Sequence, residues 1–267
     1  MTLKEISLAL GILTSLWAGA AGADDGLAAI KSAGKLRIGM DVAVAPYAFK
    51  DEKFTETGSD VAVAKKIASD LGVTAEIVAL NSANRVPFLL TNKVDIVVST
   101  LAITEERKKV IDFTRPYSAG LNIVSAPQNL AITSIADLKG KRVAVTGGTT
   151  YDKKLTVGAP AGTEIVRFPD ESTTLSALTS GQVDIVAQSK SILPVLQKQA
   201  PDKKFEMKFV LEEVVFAIGV RKDSTALKAW LDEWVTANAK SGYLNETYRT
   251  FHGVDLPSSI IQLASGQ

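Results

Sequence analysis

Short runs of valine, isoleucine and leucine recur along the chain, separated by amphipathic stretches. The strand-like runs are Leu36–Met40, Ala75–Leu80, Asp95–Ser99, Asn122–Ala126, Arg142–Thr146, Glu164–Phe168, Asp184–Ala187, Lys208–Leu211 and Val214–Val220. Many are continuously apolar rather than alternating, as strands covered on both faces of a parallel sheet are. Between them the apolar period lengthens to that of a helix. Over Asp60–Leu71 it falls on Val61, Ala64, Ala68 and Leu71, with Gly72 as a helix stop. From Ser224 onward Leu227, Trp230, Leu231, Trp234 and Val235 form one stripe, which assigns these tryptophans to the core. Ser134-Ile-Ala-Asp137 reads as a capping box opening a short helix. Alternating β and α units predict an α/β fold of helix-flanked sheets.

One unit occurs twice. Thr91–Ser99 and Ser180–Gln188 each run from a helix end through Val-Asp-Ile-Val to a polar strand exit. Two such units suggest two similar lobes, each presenting polar groups at the carboxyl edge of its sheet, where α/β sheets bind ligands.

The first residues differ from the rest. Lys4 precedes an apolar run from Ile6 to Trp17, and Ala21-Gly22-Ala23 matches a signal-peptidase pattern. A signal peptide over 1–23, cleaved after Ala23, predicts export to the periplasm. The 267 residues hold no cysteine, which removes disulfides and a lipid-modified cysteine anchor, and one histidine, His252, which leaves no His-based metal cluster or Ser-His-Asp triad. Thirty Lys+Arg against 29 Asp+Glu, with no basic stripe, gives no sign of nucleic-acid binding. The expectation is a soluble monomer without cofactor or metal.

Three stretches carry a resemblance. They are Gly58–Ala68, Asn92–Arg107 with its Ile-Thr-Glu-Glu-Arg ending, and Ile111-Asp-Phe-Thr-Arg-Pro-Tyr117; Asp137–Thr150 and Gly181-Gln-Val-Asp184 keep the same order and spacing. Together they resemble the polar amino-acid family of bacterial ABC-transporter solute-binding proteins over essentially the whole mature chain. The resemblance implies a two-lobed type II periplasmic-binding fold. Lobe 1 would comprise 24–119 and 217–267 and lobe 2 would comprise 120–216, joined by hinge strands near Ser118–Asn122 and Val215–Val220. It implies a small carboxylate ligand, an amino acid or derivative, and an inner-membrane ABC permease as partner.

Thr104 reads as a helix N-cap, with Glu105 and Glu106 in the first turn and Arg107 projecting from it. A guanidinium grips a carboxylate through two parallel hydrogen bonds, and the resemblance gives Arg107 that role on the ligand α-carboxylate. The competing reading is an arginine paired to Glu105 or Glu106. Ser99, Thr100 and Ala102 would complete the carboxylate pocket, with alanine at 102 where relatives carry a hydroxyl. In lobe 2, Gly147-Gly148-Thr149-Thr150 opens a helix after a strand, and its N–H groups suit an anion; Gly148, Thr149 and Thr150 would meet the same carboxylate from the other side.

The remaining positions depart from the resemblance. Asp41 matches it, but Val44 and Ser82 stand where relatives place stacking aromatics. Ser189, preceded by Gln188, stands where relatives carry the aspartate that pairs with the ligand ammonium. An unpaired buried ammonium is costly. Two readings stay open: a substitute carboxylate (Asp41, Glu212 or Glu213) serves an ordinary amino acid, or the ligand is a modified amino acid or other carboxylate. An enzyme on the same scaffold, a cyclohexadienyl dehydratase, would need a cleft acid; that position falls at Ile192, which cannot donate a proton.

Overall fold

The computed structural model describes residues 26–267; the expected signal peptide and cleavage site lie outside them. Strand β1 (Lys35–Met40) follows helix α1 (Leu27–Ala33), and a small hairpin, β2 (Phe49–Lys50) and β3 (Glu56–Thr57), leads to α2 (Ser59–Leu71). Next come β4 (Thr74–Ala79), α3 (Arg85–Leu90), β5 (Ile96–Val97) and the short α4 (Glu105–Lys108). Two strands of 17 residues, β6 (Ile111–Pro127) and β10 (Phe205–Arg221), enclose a middle segment. That segment holds β7 (Arg142–Thr146), α5 (Thr150–Gly158), β8 (Glu164–Phe168), α6 (Glu171–Ser180), β9 (Ile185–Ser189) and α7 (Leu193–Gln199). Helices α8 (Thr225–Lys240), α9 (Tyr243–His252) and α10 (Ser258–Ser265) close the chain.

The strand order is β4-β1-β5-β10-β6-β9-β7-β8. β4, β1 and β5 are mutually parallel, and so are β9, β7 and β8. Between these two parallel blocks runs the antiparallel pair β6–β10, whose one end pairs Val220 with Asp112 and whose other pairs Phe205 with Pro127. The chain therefore crosses between two α/β lobes twice, on β6 and on β10, and three of the pair's four register shifts fall within Val210–Gly219. Irregular pairing bends a ladder at the place where the two lobes meet.

These long strands are where the structure departs from the sequence pattern. Lys208–Leu211 and Val214–Val220 are one strand, because Glu212 and Glu213 interrupt the apolar run without interrupting the ladder, pairing with Asn122 and Leu121. Conversely, Asp95–Ser99 shrinks to Ile96–Val97, since Asp95 turns its carboxylate onto the Arg37 backbone and guanidinium at 2.8 and 2.6 Å.

The C-terminal helices return to the first lobe. Leu231 and Trp234 of α8 are buried, and the Trp234 indole donates to Asp70 on α2 at 2.7 Å. Tyr243 of α9 donates to the Ala62 carbonyl at 3.2 Å. Emptying the Leu231 site would cost about 2–5 kcal/mol, the usual range for a fully buried leucine cut to alanine.

Candidate functional site

A cleft opens where the two lobes face each other across the middle of β6 and β10. Val44, Ser82, Arg85, Thr100, Ala102 and Arg107 line it from the first lobe, Thr149, Thr150, Tyr151, Glu171 and Ser189 from the second, and Asn122 and Phe216 from the connecting strands. The space left inside is about 30 Å³, room for a few waters at most. A larger, open depression of about 600 Å³ lies at the far end of the strand pair, around Gln128 and Lys204, and touches none of these residues.

Arg107 is set by the local sequence. The Thr104 hydroxyl accepts from the Arg107 N–H at 3.2 Å and starts α4. Glu105 pairs with Lys108, and Glu106 pairs across the cleft with Lys153 on α5. Neither glutamate engages the Arg107 guanidinium, which turns inward instead. It donates to the Ala102 carbonyl at 2.9 Å and, across the cleft, to the Gly148 carbonyl at 3.1 Å. Burial, helped by neighbouring Arg85, lowers its pKa to about 10, so it stays cationic at neutral pH.

Arg85 is a cleft residue that the sequence reading missed. It is only 5 % exposed. Its guanidinium donates to Ser99 Oγ at 3.3 Å and Thr100 Oγ1 at 3.2 Å, and lies 3.7 Å from the Asp41 carboxylate. Asp41 in turn accepts from the Ser82 hydroxyl at 3.2 Å and the Ala43 N–H at 3.3 Å. Ser99 and Asp41 thus sit behind the cleft wall as supports for Arg85. Thr100 is held in a left-handed conformation, φ 42°, by its N–H bond to Asp60 at 2.8 Å. Gly58 makes this possible: a Cβ there would fall 2.2 Å from the Tyr47 carbonyl oxygen, so only glycine lets α2 start close enough to bring Asp60 under the cleft. Burial pushes the Asp60 pKa up to about 6, against the pull of the Thr100 N–H, the Tyr117 hydroxyl and Arg85.

On the second lobe, Thr149 caps α5 by accepting from the Asp152 N–H at 3.2 Å. Gly148 approaches the first lobe so closely that a Cβ would lie 2.8 Å from Ala83 Cα. Asn122 ties the lobe to the connecting strands, donating to Thr150 Oγ1 and Glu212 Oε1, both at 2.8 Å. Glu171, at the start of α6, is 3 % exposed and lines the cleft. It accepts a short bond from the Tyr151 hydroxyl, and burial raises its pKa.

Of the positions singled out from sequence, Arg107, Thr100, Ala102, Thr149, Thr150, Val44, Ser82 and Ser189 come together in the cleft lining. Gly148 reaches the cleft through its carbonyl. Gln188 does not line it; its side chain points under the sheet, 3.4 Å from Ser125 Oγ, because it lies on the opposite face of β9 from Ser189. The three carboxylates considered as substitutes for an aspartate at 189 are elsewhere: Asp41 is engaged by Arg85, Glu212 accepts from Asn122, and Glu213 is exposed. Ile192 is 1 % exposed and packs in the core. Nor is the cleft short of aromatic surface, since Phe216 and Tyr151 line it in place of aromatics at 44 and 82. Arg85, Glu171, Tyr151, Asn122 and Phe216 were not singled out from sequence; only Asn122 and Phe216 had a signal, as residues of the two expected hinge strands. Among the described residues no cluster of three or more His, Cys, Asp or Glu is arranged to hold a metal, and no helix is long and apolar enough to cross a membrane.

Residues 36–254 match the profile of the bacterial extracellular solute-binding proteins, family 3. The chain belongs to this family. A histidine-binding periplasmic protein of Salmonella typhimurium is 31% identical over 245 residues, covering 86% of this chain and 90% of the relative. A cysteine-binding protein from Campylobacter jejuni superposes with a TM-score of 0.79 at 31% identity, over 85% of this chain and 92% of that one. An ancestral amino acid-binding protein, described as a precursor of cyclohexadienyl dehydratase, superposes with a TM-score of 0.77 at 30% identity, over 84% and 98%. The family-3 chain described here is therefore a type II periplasmic solute-binding protein of the ABC-importer class.

Proposed function

We propose that this protein captures an amino acid in the periplasm and delivers it to an inner-membrane ABC permease. The α-carboxylate binds Arg107 from the first lobe and the N–H groups of Thr149 and Thr150 from the second, the Gly148 N–H being taken by the Asp152 carboxylate at 3.3 Å. The observation that carries this reading is the Arg107 guanidinium, partly buried, free of its neighbouring glutamates and facing the N-terminal turn of α5 across the cleft. A carboxylate between them would take two guanidinium N–H donors on one side and helix N-terminal donors on the other, so one ligand group would hold both lobes. The narrow cleft, bridged by Arg107 to Gly148 and by Glu106 to Lys153, supports an opening step before entry, with 24–119 and 217–267 moving against 120–216 about β6 and β10. The mature chain begins after Ala23 and acts as a monomer. Mass spectrometry of the small molecule released on denaturing freshly purified protein tests the reading: an α-amino acid is expected, and a compound without a carboxylate would refute it.

One observation favours a second reading. The dehydratase alternative was set aside for want of a cleft acid at Ile192, yet Glu171 places a carboxyl with a raised pKa in the cleft, which is what a general acid requires. The relatives are binding proteins, and the binding reading is preferred.

A further inference from the structure

The cleft walls carry charge unevenly. From the first lobe come two guanidiniums, Arg85 and Arg107, and the Asp41 carboxylate behind Arg85 neutralises one of them. From the second lobe comes Glu171, the one carboxylate among the residues that line the cleft. What remains is a cation, Arg107, on one wall and an anion, Glu171, on the other. A zwitterion laid between them meets both charges.

Ser189 cannot supply the anion. Its hydroxyl hydrogen-bonds with Ser191 at 3.0 Å, and a hydroxyl orients an amine without neutralising it. Glu171 is placed differently. It comes from the first turn of α6, not from the end of β9. The Asp170 side chain caps that helix, accepting from the Thr173 N–H at 2.8 Å. The next side chain, Glu171, is thereby turned inward toward the cleft. The Tyr151 hydroxyl fixes one carboxylate oxygen, so the group is held in one orientation and keeps acceptor capacity. The Thr146 hydroxyl also bonds the carboxylate and Arg85 attracts it from the first lobe, but no cation pairs with it directly. A buried carboxylate held by neutral donors is incompletely compensated, and a bound ammonium would complete it.

Building on the amino-acid reading above, we infer that Glu171, oriented by Tyr151, binds the ligand's protonated α-amine. The amine site has thus moved from the end of β9 to the start of α6. The relocation resolves the apparent loss of a counter-ion at Ser189 and restores a complete zwitterion site. It also lets the ligand link both lobes through each of its charges.

Calorimetry with matched pairs of probes tests this. The pairs are L-glutamine with glutaramic acid, L-histidine with imidazole-propionic acid, L-arginine with 5-guanidinopentanoic acid, and L-cysteine with 3-mercaptopropionic acid; each second member lacks only the α-amine. Wild-type protein is expected to prefer the best-bound amino acid over its partner by about tenfold or more, the usual worth of a charge-assisted hydrogen bond. Glu171→Gln, which keeps the shape and an acceptor for Tyr151, is expected to erase most of that preference, and Glu171→Asp to retain part of it. Thermal unfolding of each variant confirms that it folds. An undiminished preference in Glu171→Gln, or equal loss for both members of a pair, would overturn the assignment and leave the carboxylate reading standing. If no amino acid binds wild type, the underlying reading falls, and this inference with it.

Discussion

Arg107 of the first lobe donates a hydrogen bond to the Gly148 carbonyl of the second at 3.1 Å. The contact spans the cleft at the point where both lobes offer donors for an anion. Around it Glu106 pairs with Lys153, and Gly148 packs against Ala83. The lobes are closed on each other, and each of these contacts has a separable consequence.

Gly148 is the tightest of them. Alanine there would put its Cβ 2.8 Å from the Ala83 backbone, at a backbone φ of 79°, a left-handed conformation that side chains disfavour. Gly148→Ala should hold the lobes apart. Small-angle scattering is expected to give a larger radius of gyration for the variant at saturating ligand. A profile identical to wild type would show that closure does not depend on this approach.

The Glu106–Lys153 pair should matter little. Both side chains are more than half exposed, and exposed ion pairs contribute up to about 1 kcal/mol. Lys153→Ala is expected to change ligand affinity by no more than about fivefold, with an effect that shrinks as salt rises. A loss of a hundredfold would make the pair a principal latch.

Stability should respond to pH in opposite senses through Asp60 and Glu171, buried carboxyls whose pKa values burial raises, and through the partly buried His252, whose pKa it lowers. Asp60, with its pKa raised to about 6 from 3.8, binds more protons folded than unfolded between those values. Its contribution is therefore present at low pH and lost as pH rises through about 6, by roughly 3 kcal/mol at one pKa unit per 1.36 kcal/mol. His252 is stacked on Tyr248 at 3.9 Å and bonded to Ser59 at 3.1 Å, and burial lowers its pKa to about 4 from 6.5. Its contribution is present above 6.5 and lost as pH falls toward 4. Chemical denaturation between pH 4 and 6.5 is expected to show a shallow profile in wild type. Relative to wild type, Asp60→Asn should gain stability with rising pH across that window, and His252→Gln should lose it. Parallel profiles for all three proteins would contradict the assignment.

The enzyme alternative has its own test. Incubation with prephenate or arogenate is expected to yield no phenylpyruvate or phenylalanine above background. Product that scales with protein and disappears in Glu171→Gln would make Glu171 a general acid and the cleft an active site.

The helix-flanked strands, the Thr104 cap and the Gly148 turn were legible in the sequence because their signals are local, whereas the two lobes and the role of Arg107 were expected from the family resemblance. The continuous Val-Ile runs, the Thr104 cap and the Gly148 turn all act within a few residues of themselves. The unbroken length of β10 was not legible, since Glu212 and Glu213 find partners only on β6. Arg85 and Glu171 were missed for a related reason. Each is a charged residue in the first turn of a helix, a place where exposed charges are common. Only the packing of that helix against the sheet edge decides that these two face the cleft. The ammonium partner stayed open because Asp41, Glu212 and Glu213 were the carboxylates with a sequence signal, whereas Glu171 reaches the cleft from the start of α6.

The central claim is that Arg107 holds the carboxylate of a bound amino acid. Calorimetric titration of wild type, Arg107→Lys and Arg107→Ala with the best-binding L-amino acid tests it most directly. Affinity is expected to fall in Arg107→Lys, which loses the bidentate fork, and by about a hundredfold or more in Arg107→Ala, which strands a buried carboxylate. Wild-type affinity in a folded Arg107→Ala protein would contradict it.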